Sequence, residues 1–147
     1  MRSRGFTLVE LLVVLAISGA LLAVAPMALR RYREATDYRD TVRGIATGLA
    51  EARNTSIAGG RVVAFSVDLT GRQYGIEGGS RRELPEGLAF RATVADTDLV
   101  DNVARIRFFP GGNATGGSIE VIRPSGEGVR LRTDWLDGRV SLERLMQ

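Results

Sequence analysis

The 147-residue chain carries 20 Arg and 17 Asp plus Glu, with no Lys, His or Cys, and 44% of it is hydrophobic. That length suits one domain with a small attachment, and the apolar content is enough for a packed core. Without Cys there are no disulfides or thiolate metal sites, and without His the commonest general base and metal ligand is gone.

The basic residues are dispersed: from residue 30 onward 18 Arg face 16 Asp plus Glu. A nucleic-acid binder usually gathers its cations on one stripe, so a solvated mixed-charge surface is the expectation here.

The first element is "RGFTLVELLVVLAISGALLAVAP", residues 4 to 26. From Phe6 to Leu29 the only charge is Glu10, and at about 1.5 Å per residue this helix is long enough to cross a bilayer. Pro26 falls near its end, where it bends a helix without abolishing it. A plain membrane anchor is one reading. A secretory signal peptide is another, with Arg2 and Arg4 ahead of the apolar run and "AVA" at 23–25 as the small-residue cleavage pattern. The length of the run, Glu10 inside it and Pro26 at the first mature position all oppose that second reading. Neither reading explains the carboxylate, which costs at least a few kcal/mol in hydrocarbon.

Past Arg30 the helical period continues with a different composition. Tyr38, Val42, Ile45, Ala46, Leu49 and Ala52 recur at spacings of three and four, while Arg39, Asp40, Arg43 and Glu51 occupy other faces. This is an amphipathic helix in need of a partner surface. Gly59 and Gly60 end it, giving one long helix over about 6–57.

Beyond Gly60 the pattern is β. "RVVAFSVD" (61–68) alternates Val63, Phe65 and Val67, and "LTGR" makes a turn. "QYGIEG", "LAFRATV", "ARIRFF", "SIEVIR", "GVRLRT" and "RVSLERL" follow, each bounded by turn residues. Ile106 and Phe108 alternate with Arg105 and Arg107, and Val129 and Leu131 with Arg130 and Arg132, as in half-buried antiparallel strands. About seven strands on the back of a helix make an α+β fold: a long N-terminal helix, transmembrane then amphipathic, packed on an antiparallel β body.

Three stretches invite chemistry. "ADTDLVDN" brings Asp96, Asp98 and Asp101 together, the oxygen-rich kind of site Ca²⁺ favours, but the Gly and distal Glu of an EF-hand are missing. A polar loop between strands is expected there. "PGGNATGG" lacks the Gly-Lys-Ser/Thr ending of a phosphate loop and lies between strands, so a long hairpin is expected. Trp135, between Asp134 and Asp137, has two readings, packing over the sheet edge or an exposed contact, and packing is the expectation. No familiar nucleophile–base pair can be assembled, and a Ser–Lys dyad is excluded. No enzyme, catalytic residue, metal or cofactor is expected.

"RGFTLVELLVVLAI" resembles the class III leader of type IV pilins and type II secretion pseudopilins, with Gly5, Phe6, Thr7, Leu8, Glu10 and the apolar helix all in register. The resemblance implies cleavage by a prepilin peptidase after Gly5, N-methylation of the new terminus at Phe6, and an assembly role for Glu10. Cleavage would leave a charged amine at Phe6, one helical turn from Glu10. The carboxylate would then be paired within its subunit or with the Phe6 amine of a neighbour, setting register between stacked helices. Arg2 and Arg4 on one side and Arg30, Arg31 and Arg33 on the other leave orientation undecided by charge. The leader resemblance implies a body outside the inner membrane.

"FFPGGNATGGSIEV" (108–121) and "GRVSL" (138–142) resemble the GspH/FimT-type domain, as does "LAEARNTSIAGGRVVAF" (49–65). The implied organisation is a leader at 1–5, a transmembrane and filament helix at 6–29, an amphipathic helix half at 30–60 and a β domain at 61–147. The implied role is an H-type minor pseudopilin of a type II secretion system, at or near the pseudopilus tip, helping folded proteins cross the outer membrane. Its implied partners are other minor and major pseudopilins, prepilin peptidase, the inner-membrane assembly platform, and membrane lipid before assembly. The runner-up is a FimT-like minor pilin of a type IV pilus that binds DNA in transformation. For DNA, Arg105, Arg107, Arg130 and Arg132 would line one sheet face, joined by Arg139. The DNA-binding branch is similar to a Gly-Arg-x-Arg signature, and this chain has Gly138 and Arg139 but Ser141 in the later position. Nucleic acid is therefore not the expected partner.

Overall fold

The computed structural model describes residues 7–145, apart from the side chains of 22–31. The chain divides into two units, the first reaching Thr36 and the second starting at Asp37. Helix α1 runs Leu8–Gly59 and contributes to both. In the first unit its side chains from Leu8 to Leu21 are exposed all round, Leu8, Leu12, Leu15 and Ile17 among them. Among the described residues no helix is long and apolar enough to cross a membrane. The span expected at 6–29 extends beyond those residues.

In the second unit the amphipathic stripe of α1 finds its surface. Ile45, Leu49 and Ala52 are completely buried and Tyr38 nearly so, with Val42 and Ala46 packed at the margin. Two polar residues join that stripe with their hydroxyls satisfied. Thr41 donates to the Asp37 carbonyl at 2.7 Å, and the Ser56 hydroxyl lies 2.7 Å from the Arg61 carbonyl and 2.9 Å from that of Phe108. Gly60, at φ 59°, takes the left-handed conformation that closes the helix.

Among the described residues nine strands follow: β1 Val63–Asp68, β2 Gln73–Ile76, β3 Arg81–Glu83, β4 Ala89–Thr93, β5 Leu99–Val100, β6 Val103–Phe108, β7 Gly117–Ile122, β8 Gly128–Thr133 and β9 Val140–Leu145. They form two antiparallel sheets, one ordered β3-β2-β1-β6-β5 and the other β4-β7-β8-β9. The seven expected strands are present. The two additional ones, β3 and β5, are short edge strands with every residue exposed, so they carry no alternation to read. The β1–β2 turn is held by Asp68, whose Oδ1 accepts the amides of Thr70 at 3.0 Å and Gly71 at 2.6 Å.

The core lies between α1 and the inward residues of both sheets: Phe65, Val67, Ile106 and Phe108 from the first, Ile119, Val121 and Leu131 from the second. Gly48 makes the close approach feasible, because a Cβ there would lie 2.5 Å from the Phe65 ring. One turn earlier, a Cβ on Gly44 would lie 3.0 Å from the Tyr74 hydroxyl. Tyr38 is covered by the Arg123 guanidinium, 3.9 Å from its ring centroid.

Candidate functional site

At the start of α1, Thr7 and Glu10 stand three apart, as in a capping box. The Glu10 amide donates to Thr7 Oγ1 at 3.3 Å, and the Leu11 amide to the Thr7 carbonyl at 3.2 Å. Glu10 is thus in the first helical turn, where the helix dipole favours a carboxylate. This local role of Glu10 is separate from any pairing between subunits. Gly5 and Phe6 lie outside the described residues.

The arginines nominated for DNA do not share one face. Arg105 and Arg107 are on β6 in the five-stranded sheet, whereas Arg130 and Arg132 are on β8 in the four-stranded one. Four of the five nominated residues are matched to carboxylates. Arg105 pairs with Glu77 at 2.7 Å, Arg107 with Asp98 at 2.7 Å, Arg130 with Glu120 at 2.7 Å, and Arg139 with Asp137 at 3.3 Å. Among the described residues Arg132 has no ion-pair partner.

Register explains the Arg130 contact. Arg91, Glu120, Arg130 and Glu143 stand directly opposite one another across β4, β7, β8 and β9. They form a row of alternating charge, with the Glu120 carboxylate buried under its two arginines. The sequence shows each member at an outward position, but only the strand pairing reveals that they meet.

Asp98 is likewise committed. It is buried in a 3₁₀ turn, Asp96–Asp98, and its carboxylate holds Arg107. Among the described residues no cluster of three acidic side chains is placed to hold a metal ion. Asp96–Asp98 thus forms a polar turn between β4 and β5, while the rest of the stretch expected as a loop holds β5 itself and the turn into β6.

The glycine-rich hairpin and the "GRV" stretch meet at Arg53, a residue with nothing in the sequence pattern to single it out. Its Nε donates to the carbonyls of Gly112 at 3.1 Å and Asp137 at 3.0 Å. Gly138 sits at φ 65° against this clasp, and a Cβ there would run into the Gly112 carbonyl oxygen. The Gly138 element of the motif is therefore a structural joint between α1, the β6–β7 hairpin and the β8–β9 turn.

Trp135 corrects an expectation. It does not pack over the sheet edge: its side chain is 66% exposed, and Leu136 beside it is equally open. The turn is fastened by its backbone instead. Asp134 Oδ1 accepts the Leu136 amide at 2.7 Å, Gly138 N donates to the Asp134 carbonyl at 3.0 Å, and Ala114 N donates to the Trp135 carbonyl at 3.0 Å. With the backbone so committed, the indole stays open to solvent.

Comparison with known proteins agrees with this geometry. Residues 1–26 match the family described as "Prokaryotic N-terminal methylation motif", and residues 41–137 match "Type II transport protein GspH". The structure is similar to the minor pseudopilin EpsH from the type 2 secretion system of Vibrio cholerae, with a TM-score of 0.59 at 12% identity. That match covers 74% of this chain and 97% of EpsH. It is similar also to the type IV minor pilin FimU of Pseudomonas aeruginosa, with a TM-score of 0.58 at 14% identity, covering 76% of this chain and 92% of FimU. No curated protein sequence matches the chain.

Proposed function

The chain belongs to the GspH family of type II transport proteins, and from that premise we propose that it is a minor pseudopilin at or near the tip of a periplasmic pseudopilus. Prepilin peptidase cuts after Gly5, Phe6 is N-methylated, and the body stands in the periplasm on a single inner-membrane pass. The subunit then leaves lipid for the filament, where it joins other minor and major pseudopilins on the assembly platform and assists export of folded proteins. Its role is structural.

The observation that carries this reading is the first stretch of α1. Leu8 to Leu21 expose apolar surface all round, with Glu10 in the first turn, and nothing in the chain's own second unit is needed to explain them. Lipid before assembly and neighbouring helices afterwards would cover that surface, and the Phe6 amine of a neighbour would neutralise Glu10. The test is intact-mass and N-terminal peptide analysis of the protein from the native membrane fraction. A chain beginning at N-methylated Phe6 is expected. A chain beginning at Met1 in a host with an active prepilin peptidase, or at Pro26, overturns the reading.

The likeness to FimU, nearly equal to that for EpsH, favours a second reading as a FimT-like minor pilin of a type IV pilus. DNA binding is the weaker part of that alternative, because four of its five candidate arginines already face carboxylates. Titration with duplex DNA at two salt concentrations separates the cases: affinity that falls steeply with salt supports DNA contact, and none removes it.

A further inference from the structure

Resting on the assignment to a filament, we propose that the groove between the start of β7 and the end of β8 docks an acidic segment of a neighbouring subunit. A carboxylate of that segment meets Arg132, and an apolar side chain beside it meets Trp135.

The groove is open, about 530 Å³, and lined by Thr93 and Ser118 on one side and Arg130, Arg132, Asp134 and Trp135 on the other. Its floor is bare backbone at Gly116 and Gly117. A Cβ on Gly116 would lie 3.1 Å from Trp135 Cβ, and one on Gly117 would lie 2.9 Å from the Thr93 carbonyl oxygen. Thr93, Ser118 and Arg132 stand in one cross-strand row, so the guanidinium rises from a surface of small hydroxyl side chains.

Two properties mark this place as a contact. The Trp135 ring is exposed while its backbone is fastened, so little backbone freedom is left to lose on binding. Charge then selects the occupant. Arg130 next to it is already neutralised by Glu120 and Glu143. The Asp134 carboxylate is turned to the backbone amides of Leu136 and Asp137, which among the described residues leaves Arg132 as the cation without a counterion at this groove. One free guanidinium beside an apolar ring matches a single carboxylate next to an apolar side chain. A nucleic-acid strand needs several cations along its phosphates, and the carboxylates of the Arg91–Glu143 row oppose it.

The test places a photoreactive phenylalanine analogue at Thr93 of the full chain, expressed in a host with its filament system intact. The expected result is an adduct with another pilin-like subunit, mapped to a peptide containing Asp or Glu. Arg132→Glu and Trp135→Ala each lower its yield at least about tenfold, the scale on which anchoring residues act, while Arg132→Lys retains it. Circular dichroism and the N-terminal mass stay unchanged in all three variants. An adduct insensitive to both disruptive substitutions, or none in a processed chain recovered with the filament, overturns the proposal. A nuclease-sensitive adduct also overturns it and assigns the groove to nucleic acid. An unprocessed N-terminus instead sinks the filament assignment, and the docking proposal with it, so the two failures are read separately.

Discussion

Leu15 and Leu49 lie on the same helix in opposite surroundings. Leu15 is 61% exposed, whereas Leu49 is completely buried against the sheets. Local helix propensity does not distinguish them, since both are leucines in regular α1. The difference is the partner. After Asp37 the apolar residues fall on one stripe, which a single β body covers. From Leu8 to Leu21 they surround the helix, and no one-sided surface can cover them. A continuous helix can thus carry two kinds of apolar surface, one completed by the β body and one left open.

The sharpest way to break this contrast is to truncate on each side of it. Phe65→Ala, which empties the ring site facing α1, should destabilise the second unit by about 3–5 kcal/mol, and Leu49→Ala by about 2–5 kcal/mol. Leu15→Ala should leave the same urea transition, measured on the full chain in detergent, within about 0.5 kcal/mol. An equal loss at Leu15 and Leu49 would erase the distinction.

Glycines sharpen it further. Gly48→Ala gains about 1 kcal/mol of helix propensity but drives a methyl into the Phe65 ring, for a cost of about 1–3 kcal/mol. The same urea experiment should show a net loss. Gly19 has nothing within 4 Å of its would-be Cβ, so Gly19→Ala should raise helix content by circular dichroism without touching the second unit. Stabilisation by Gly48→Ala would mean that helix and sheet are not in firm contact.

A smaller effect is expected at Glu120. Its carboxylate is buried, but Arg91 and Arg130 are partly in water and can turn outward when it is neutralised. Glu120→Gln should therefore cost about 1–2 kcal/mol, below the loss from breaking a fully buried pair.

The smallest effect concerns Tyr38. Burial pushes its phenol above the usual tyrosine value, with Arg123 pulling the other way. The folded state thus favours the neutral phenol. This contribution is complete below the unfolded-state value near 10 and is lost as pH rises through the folded value. Tyr38→Phe should flatten the stability curve above about pH 10 and leave its slope unchanged at neutral pH, as seen by urea unfolding across that range.

Much of this architecture was legible in the residue pattern. Ile45, Leu49 and Ala52 announced the buried stripe by spacing, and Ile106 and Phe108 announced their strand by alternation. What stayed hidden required pairing partners. "RRE" and "LV" have no periodicity, so β3 and β5 escaped. The division into two sheets depends on which distant strands pair, and placing Arg105 with Arg130 on one face ignored that division. The Arg91–Glu120–Arg130–Glu143 row exists only in register. Glu10 was conspicuous because a charge interrupts an apolar run, whereas Arg53 looked like any surface arginine until two loops arrived at its guanidinium. Trp135 misled because its bulk suggested burial, while the backbone bonds that fasten its exposed turn are invisible in sequence.

The Gly44–Gly48 seam has a mechanical consequence. Turning α1 about its axis by one residue would replace a bare Cα with a side chain opposite the Phe65 ring, in a core packed too densely to yield. Within the second unit the helix behaves like a keyed shaft. A twist applied to that part of the helix is transmitted to the sheets instead of being lost as slip, so the outward residues of the body hold a fixed angular phase to the stretch of α1 packed within the same unit.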